Sequence, residues 1–395
     1  MKTNKTTSLD ELLERASDLE PLVREHAPQA EADRRLSAPV ADALRDAGFF
    51  RMFRPHTRGG LDLDPVTGFR VIEEFARMDS AAGWNLAIAN ATEPFAAWYS
   101  DDVTEQVYSS PDTVMAGAWN PPRRAIPVDG GYRISGKTVF SSNCHAATWI
   151  SGLAHVYDGE APRLDDSGAP QTLLTLVKMT EATIDENWNT LGMAGTGSHD
   201  VVIDDVFVPA ERAVPFVPLE RPSSAYAGPF HLLSVWPAIA AQVPPALGIA
   251  RAAIDDFIEL ATQKTPVYSG STLRNRPVVQ MQIAQAEAEL GAAQAFLYSV
   301  FDSMWQRALD GGGVNMRQRA QCQIACSHAV VAAARAVDLV HAAAGASAIR
   351  NEQQFQKYFR DVHVITQHAF VGAARFESAG QVMLGLEPEW PFFQF

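Results

Sequence analysis

After Pro222 the chain carries helical periodicity almost without interruption, over Ala246–Thr262, Val278–Ala308, Met316–Ala346 and Gln354–Met383, with alanine at many of the seam positions. Apolar residues returning every three to four positions over such lengths must bury one face against neighbouring helices, and small residues let those helices approach closely. A four-helix bundle is the expected outcome. Upstream, between about residues 115 and 210, the pattern is different. Turns rich in Gly, Pro and Asn separate short β-branched runs: Gly130-Gly131 before Tyr132–Ile134, then Thr138–Phe140, Trp149–Val156, Thr172–Val177 and Val201–Val208. From Thr7 to Asp112 the pattern is helical again, opening with Ser8 and Glu11 at capping-box spacing before Leu9, Leu12, Leu13, Leu19 and Leu22. The fold expected is therefore α+β and mostly α: an N-terminal helical domain over 1–114, a central β domain over 115–212, and a C-terminal bundle over 213–395. The stretches Asp158–Ala169 and Glu211–Gly228 are long enough to be binding loops.

Charge and cysteine content narrow the function classes. Lys plus Arg number 32 against 46 Asp plus Glu, a formal net charge of −14, which repels polyanions. Nucleic acid and anionic membrane surfaces are poor partners for such a chain. Its 3 cysteines are too few for a disulfide framework, and Cys322 and Cys326 sit in an Ala-rich helical pattern as buried thiols would. The opening residues lack an apolar leader, and the apolar stretch Trp236–Ala250 is broken by Pro237, Gln242, Pro244 and Pro245. A cytoplasmic protein without a membrane span is the expectation.

Several common catalytic templates are missing. There is no Gly-x-Gly-x-x-Gly after a strand, no Gly-x-Ser-x-Gly and no His-Glu-x-x-His. His363 and His368 are five apart, about 500° around a helix, and would not share a metal; no metal is expected. What stands out is a set of polar and aromatic residues at turns of the β region: Trp119-Asn120-Pro121-Pro122, Phe140-Ser141-Ser142-Asn143-Cys144-His145, and the Gly-rich run from Trp188 to Asp200. Indole faces with hydroxyl and backbone donors suit a flat ligand rich in heteroatoms, although the same residues also make ordinary turns and core packing.

The order of these segments, continued by Arg360-Asp361, His363 and Gln367-His368, resembles the acyl-CoA dehydrogenase fold. More narrowly, it resembles the oxygenase components of two-component flavin-dependent monooxygenases. The resemblance covers nearly the whole chain. It implies reduced FAD or FMN delivered by a separate flavin reductase, with O2 as co-substrate, bound between the β domain and the bundle of a homotetramer. By resemblance, Ser142 hydrogen-bonds the reduced flavin near its reactive nitrogen and limits peroxide loss, with Ser141 the alternative. His368 assists formation of the flavin hydroperoxide, while His363 is structural, hydrogen-bonded between helices. Trp119, Asn120, Trp188, Thr196 and Ser198 are implied flavin contacts. Gln280 and Gly345 would face flavin bound mainly by a partner subunit, and Arg274 or Arg276 would meet its phosphate or simply be exposed. Asn90, Trp98, Asn143, His145 and the 211–228 loop are the implied substrate lining. Asn143 and Ala194 depart from the commonest pattern, where Gly and Arg stand.

The leading expectation is hydroxylation of an aromatic or heteroaromatic ring, indolic or phenolic, through a flavin C4a-hydroperoxide. An indole needs no phenolate-forming partner, and none is evident. Acyl-CoA dehydrogenation is the alternative. It needs a carboxylate base, and Gln367-His368 stands where a Glu is common, leaving Asp255 or Asp256 to serve. Amine N-oxygenation and a scaffold without flavin are further alternatives; the set Ser142, Trp188 and His368 has no use in a pure scaffold.

Overall fold

The structure is a computed structural model and describes residues 7–218 and 223–395. Five helices come first: α1 (Leu9–Asp33), α2 (Ala38–Asp46), α3 (Pro65–Met78), α4 (Ser80–Ala91) and α5 (Asp101–Tyr108). The expected capping box is present, with Ser8 Oγ accepting from Glu11 N at 3.2 Å and Ser8 N donating to the Glu11 carboxylate at 2.9 Å. Asp79 ends α3 in an extended conformation and caps α4 by accepting from Ala82 N at 3.0 Å, so one residue sets the corner between the two helices.

Nine strands follow: β1 (Met115–Gly117), β2 (Arg123–Val128), β3 (Gly131–Thr138), β4 (Trp149–Asp158), β5 (Ala161–Pro162), β6 (Thr172–Lys178), β7 (Thr183–Asp185), β8 (Asp200–Pro209) and β9 (Ala213–Pro215). They form one sheet in the order β7-β8-β3-β2-β4-β6-β9, with β1 parallel to β4 and β5 antiparallel to it. The sheet encloses a small apolar core of its own that includes Ile134, Ile150, Val156, Val201 and Ile203. Three expectations change here. Thr138 closes β3 instead of opening a separate run, Arg123–Val128 is an additional strand, and β9 extends the sheet past the limit drawn at 212.

The remaining helices are α6 (Trp236–Ala240), α7 (Pro244–Gln263), α8 (Pro277–Leu309), α9 (Met316–Ala344), α10 (Phe355–Ile365) and α11 (Arg375–Met383). Helices α7, α8 and α9 form the bundle with α10 and α11, and α7 packs back on α3. Gly248 makes that crossing possible, because a Cβ there would lie 2.2 Å from the Glu73 carbonyl oxygen. Helix 316–347 is long and apolar enough to cross a membrane, and 56% of its most apolar stretch is buried in the protein, as in a bundle core helix. Cys322 and Cys326 are buried on it as free thiols, and Cys144 is buried and free in the β region.

The fourth helical pattern is not one helix. It breaks over residues 366–374, between α10 and α11, and His368 lies in the break. Residues of α9 hold this irregular backbone: Gln323 Nε2 donates to Phe370 O at 3.0 Å and Ser327 Oγ to Gly372 O at 3.2 Å. A helical angle between His363 and His368 therefore has no meaning. Among the described residues, no group of three or more His, Cys, Asp or Glu is placed to hold a metal ion.

Candidate active site

The buried segment after β3 leaves the strand conformation at Phe140, which has φ +59°, and Asn143 follows with φ +65°. Strand alternation thus does not decide between Ser141 and Ser142; a turn does. Ser142 Oγ accepts from Trp84 Nε1 of α4 at 3.0 Å and lies 2.6 Å from Ser198 Oγ. Ser141 Oγ is buried without a partner, and its backbone N–H donates to His199 O at 2.9 Å. Ser198 Oγ in turn lies 2.7 Å from Thr196 Oγ1, which donates to Met193 O at 2.8 Å. The same carbonyl accepts from Trp188 Nε1 at 3.1 Å. Four of the expected residues, Ser142, Trp188, Thr196 and Ser198, are thereby tied into one hydrogen-bonded cluster.

His368 joins it through Trp84, whose ring meets the imidazole edge to face with centroids 5.4 Å apart. Burial pushes the His368 imidazole down to about 4, so it is neutral at pH 7. Phe370 N donates to its Nδ1 at 3.3 Å, which leaves the proton of the neutral ring on Nε2. Trp84 was not legible in the sequence as a site residue. It sits in the apolar pattern Ala82–Trp98, and only its indole N–H, which needs a partner once buried, carries a signal.

Helix α10 fixes the Gly-rich loop against this cluster. Arg360 Nη1 donates to Leu191 O at 2.7 Å, and Asp361 accepts from Met193 N at 2.5 Å. Asp361 also accepts from Ser80 Oγ at 2.5 Å and from Lys357 Nζ at 2.6 Å, with Asp79 3.3 Å from the same ammonium. Burial opposes the charge on Lys357, but Asp361 and Asp79 outweigh it and raise its pKa. Gly192 is required here because a Cβ would stand 2.5 Å from the Arg360 carbonyl carbon.

An aromatic box adjoins His368 through Phe370, 5.7 Å away. Phe370 meets Phe392 at 4.9 Å, and Phe392 faces Trp119 at 6.1 Å. Phe95, Trp98, Phe216 and Phe395 complete it, with Phe216 and Phe395 stacked at 4.7 Å. The ion pair Arg54–Glu93, 2.8 Å and fully buried, anchors the segment that carries Phe95 and Trp98. Trp98 Nε1 donates to Val217 O at 2.9 Å. The 211–228 loop includes residues 219–222, which lie outside the described residues.

The side chains of the other expected residues do not join this hydrogen-bonded cluster. Asn90 is fully buried, and its amide is engaged by the backbone: Nδ2 donates to Phe49 O and Leu86 O, and Oδ1 accepts from Met52 N, all within 2.9 Å. His145 packs on His199 at 5.2 Å near Glu186, and burial, His199 and Arg35 lower its pKa. Asn143 Nδ2 donates to Met115 O at 3.3 Å, while Oδ1 is buried without a partner. Asn120 is exposed, and its carbonyl accepts from Val139 N. Gln280 is exposed and donates to Arg274 O at 3.0 Å; Gly345, Arg274 and Arg276 are exposed as well. His363 Nε2 lies 2.9 Å from Asp338 Oδ1, between α10 and α9. Neither candidate dehydrogenation base is free: Asp255 pairs with Arg251 at 2.9 Å and Asp256 accepts from Tyr358 OH at 2.7 Å.

Residues 12–108 match the acyl-CoA dehydrogenase N-terminal domain and residues 240–373 its C-terminal domain. The chain is 33% identical over 374 residues to an indole-3-acetate monooxygenase of Pseudomonas putida, covering 93% of this chain and 92% of that one. It is 31% identical over 381 residues to the Acinetobacter baumannii enzyme of the same name, with 95% of both covered. The chain belongs to the flavin-dependent monooxygenases of the acyl-CoA dehydrogenase fold. Among solved structures, the 3-HSA hydroxylase from Rhodococcus sp. RHA1 superposes with a TM-score of 0.89 at 25% identity, covering 98% of this chain and 100% of that one. In this family the cofactor is flavin, and the residues present fit it. The Ser142 hydroxyl has an acceptor lone pair to spare, Asn143 Oδ1 is an orphan acceptor, and a Gly-containing loop brings hydroxyls and indole rings together.

Proposed function

We propose that this protein is an oxygenase component that takes reduced flavin from a separate reductase and uses O2 to hydroxylate an indolic or phenolic ring. Bound reduced flavin supplies the activation of O2; the chain's own groups supply the rest. The observation that carries the reading is the meeting of the Ser142 hydroxyl cluster and neutral His368 on one side chain, Trp84. Ser142 would hold the flavin edge, and His368 Nε2–H would donate to an oxygen atom brought beside it. The substrate ring would lie in the box of Trp98, Trp119, Phe216 and Phe392, where aromatic faces recognise a flat ring and keep water away. Exposed Gln280 and Gly345 suit contact with flavin held mainly by a partner subunit of a homotetramer; a monomer in sedimentation would remove that part of the reading.

The test supplies reduced flavin and 18O2 with indole-3-acetate, indole or resorcinol and follows label into the ring by mass spectrometry. One labelled oxygen per product is expected, with His368→Ala slowing its formation while the protein stays folded. Absence of label from every ring, together with bleaching of bound oxidised flavin by acyl-CoA esters, would reassign the protein to dehydrogenation.

A further inference from the structure

The hydroxyl chain behind Ser142 has a direction, and the direction is set by a carbonyl. A hydroxyl has one proton to give and two lone pairs to accept with. Thr196 Oγ1 is 2.8 Å from Met193 O, which can only accept, so the Thr196 proton is given there. In the 2.7 Å contact between Thr196 and Ser198, Ser198 must then be the donor. By the same count Ser142 is the donor in its 2.6 Å contact with Ser198. At the other end Trp84 Nε1 is a donor only and fills one lone pair of Ser142 Oγ at 3.0 Å. What Ser142 has left is one acceptor lone pair and no proton. These residues are nearly or fully buried, at 6% exposure for Trp84, 5% for Ser142, 4% for Ser198 and 2% for Thr196, so competing water is largely excluded.

We propose that Trp84, Ser198 and Thr196 are positioning residues that lock Ser142 as an acceptor, and that this makes the site select flavin by redox state. The inference rests on the reading that Ser142 meets the central nitrogen edge of the flavin. Reduced flavin carries an N–H there and donates to Ser142. Oxidised flavin presents a bare nitrogen, which needs a donor, and finds only a second acceptor. The cost of two facing acceptors falls on the oxidised form alone, so spent cofactor is released while fresh reduced cofactor is retained.

The experiment measures dissociation constants for FMN and FAD, oxidised in air and dithionite-reduced under anaerobic conditions, for wild type, Thr196→Val, Thr196→Ser and Ser142→Ala. Wild type favours the reduced form. Thr196→Val keeps the side-chain shape but can no longer accept from Ser198. The Ser198 proton turns toward Ser142, and the Ser142 proton is freed for the ligand. The ratio of oxidised to reduced dissociation constants is expected to fall about two- to tenfold, the range of one net hydrogen bond. Thr196→Ser restores the wild-type ratio, and Thr196→Val has no further effect on the ratio in a Ser142→Ala background. A merely structural role would weaken both forms equally. An unchanged ratio in Thr196→Val, or the same shift without Ser142, overturns the proposal while leaving flavin binding intact. Failure of wild type to bind flavin in either form would overturn the proposed function and this inference together.

Discussion

Asp361 holds the Gly-rich loop to α10, and the structure gives the size of its contribution. Its carboxylate accepts from Met193 N, Ser80 Oγ and Lys357 Nζ, the last at 2.6 Å, and is 1% exposed. Asp361→Asn keeps an acceptor for Met193 N but removes the charge beside the Lys357 ammonium. Removing one partner of a buried ion pair costs about 3–5 kcal/mol, because the other charge stays buried. Asp79 remains 3.3 Å from the ammonium, which places the expected loss at the lower end, about 3 kcal/mol. At about 1.4 kcal/mol per decade, local opening becomes about 100-fold more frequent. Native-state hydrogen exchange reads this directly: the amides of residues 191–198 and of the first turn of α4 should lose up to that factor of protection, while those of β4 and β6 should not. Because Lys357 and Asp361 form one network, Lys357→Met in the Asp361→Asn background should cost less than it does alone. A loss of protection under threefold, or one spread evenly over the sheet, would refute the assignment of Asp361 as the loop's anchor.

Acid sensitivity follows from two histidines. Burial lowers His368 to about 4 and His231 to about 3 from 6.5, so the unfolded chain takes up these protons first, and stability present above pH 6.5 declines as the pH falls toward 4. The urea midpoint should drop over that interval and drop less in His368→Phe; a midpoint independent of pH between 6.5 and 4 would contradict the burial argument. Asn90→Ala should destabilise the fold by about 3 kcal/mol, from three buried hydrogen bonds at about 1 kcal/mol each. The affinity of the folded variant for indole-3-acetate should equal that of wild type, and a selective loss of that affinity would return Asn90 to the substrate pocket.

The sequence by itself determined what depends on neighbours along the chain. Helical blocks on either side of a β region, the Ser8–Glu11 cap, the long seams of α7, α8 and α9 and the Gly-rich run before β8 are all local patterns, and the structure contains each of them. Family resemblance then picked out Ser142, Ser198, Thr196 and His368, which the fold brings into one neighbourhood. Tertiary structure decided the rest. Trp84 and Ser142 are 58 residues apart, and Ser80 and Asp361 are 281 apart, so no local pattern announces either pair. The break at residues 366–374 has no proline to mark it; two of its carbonyls, those of Phe370 and Gly372, accept from Gln323 and Ser327 of another helix. Asn90 has the residue type of a binding group, yet its amide is consumed by three backbone partners. Periodicity records which face of an element is buried. Which partner satisfies a buried polar group, and in which direction the proton points, is fixed only when distant segments meet and every donor must find an acceptor.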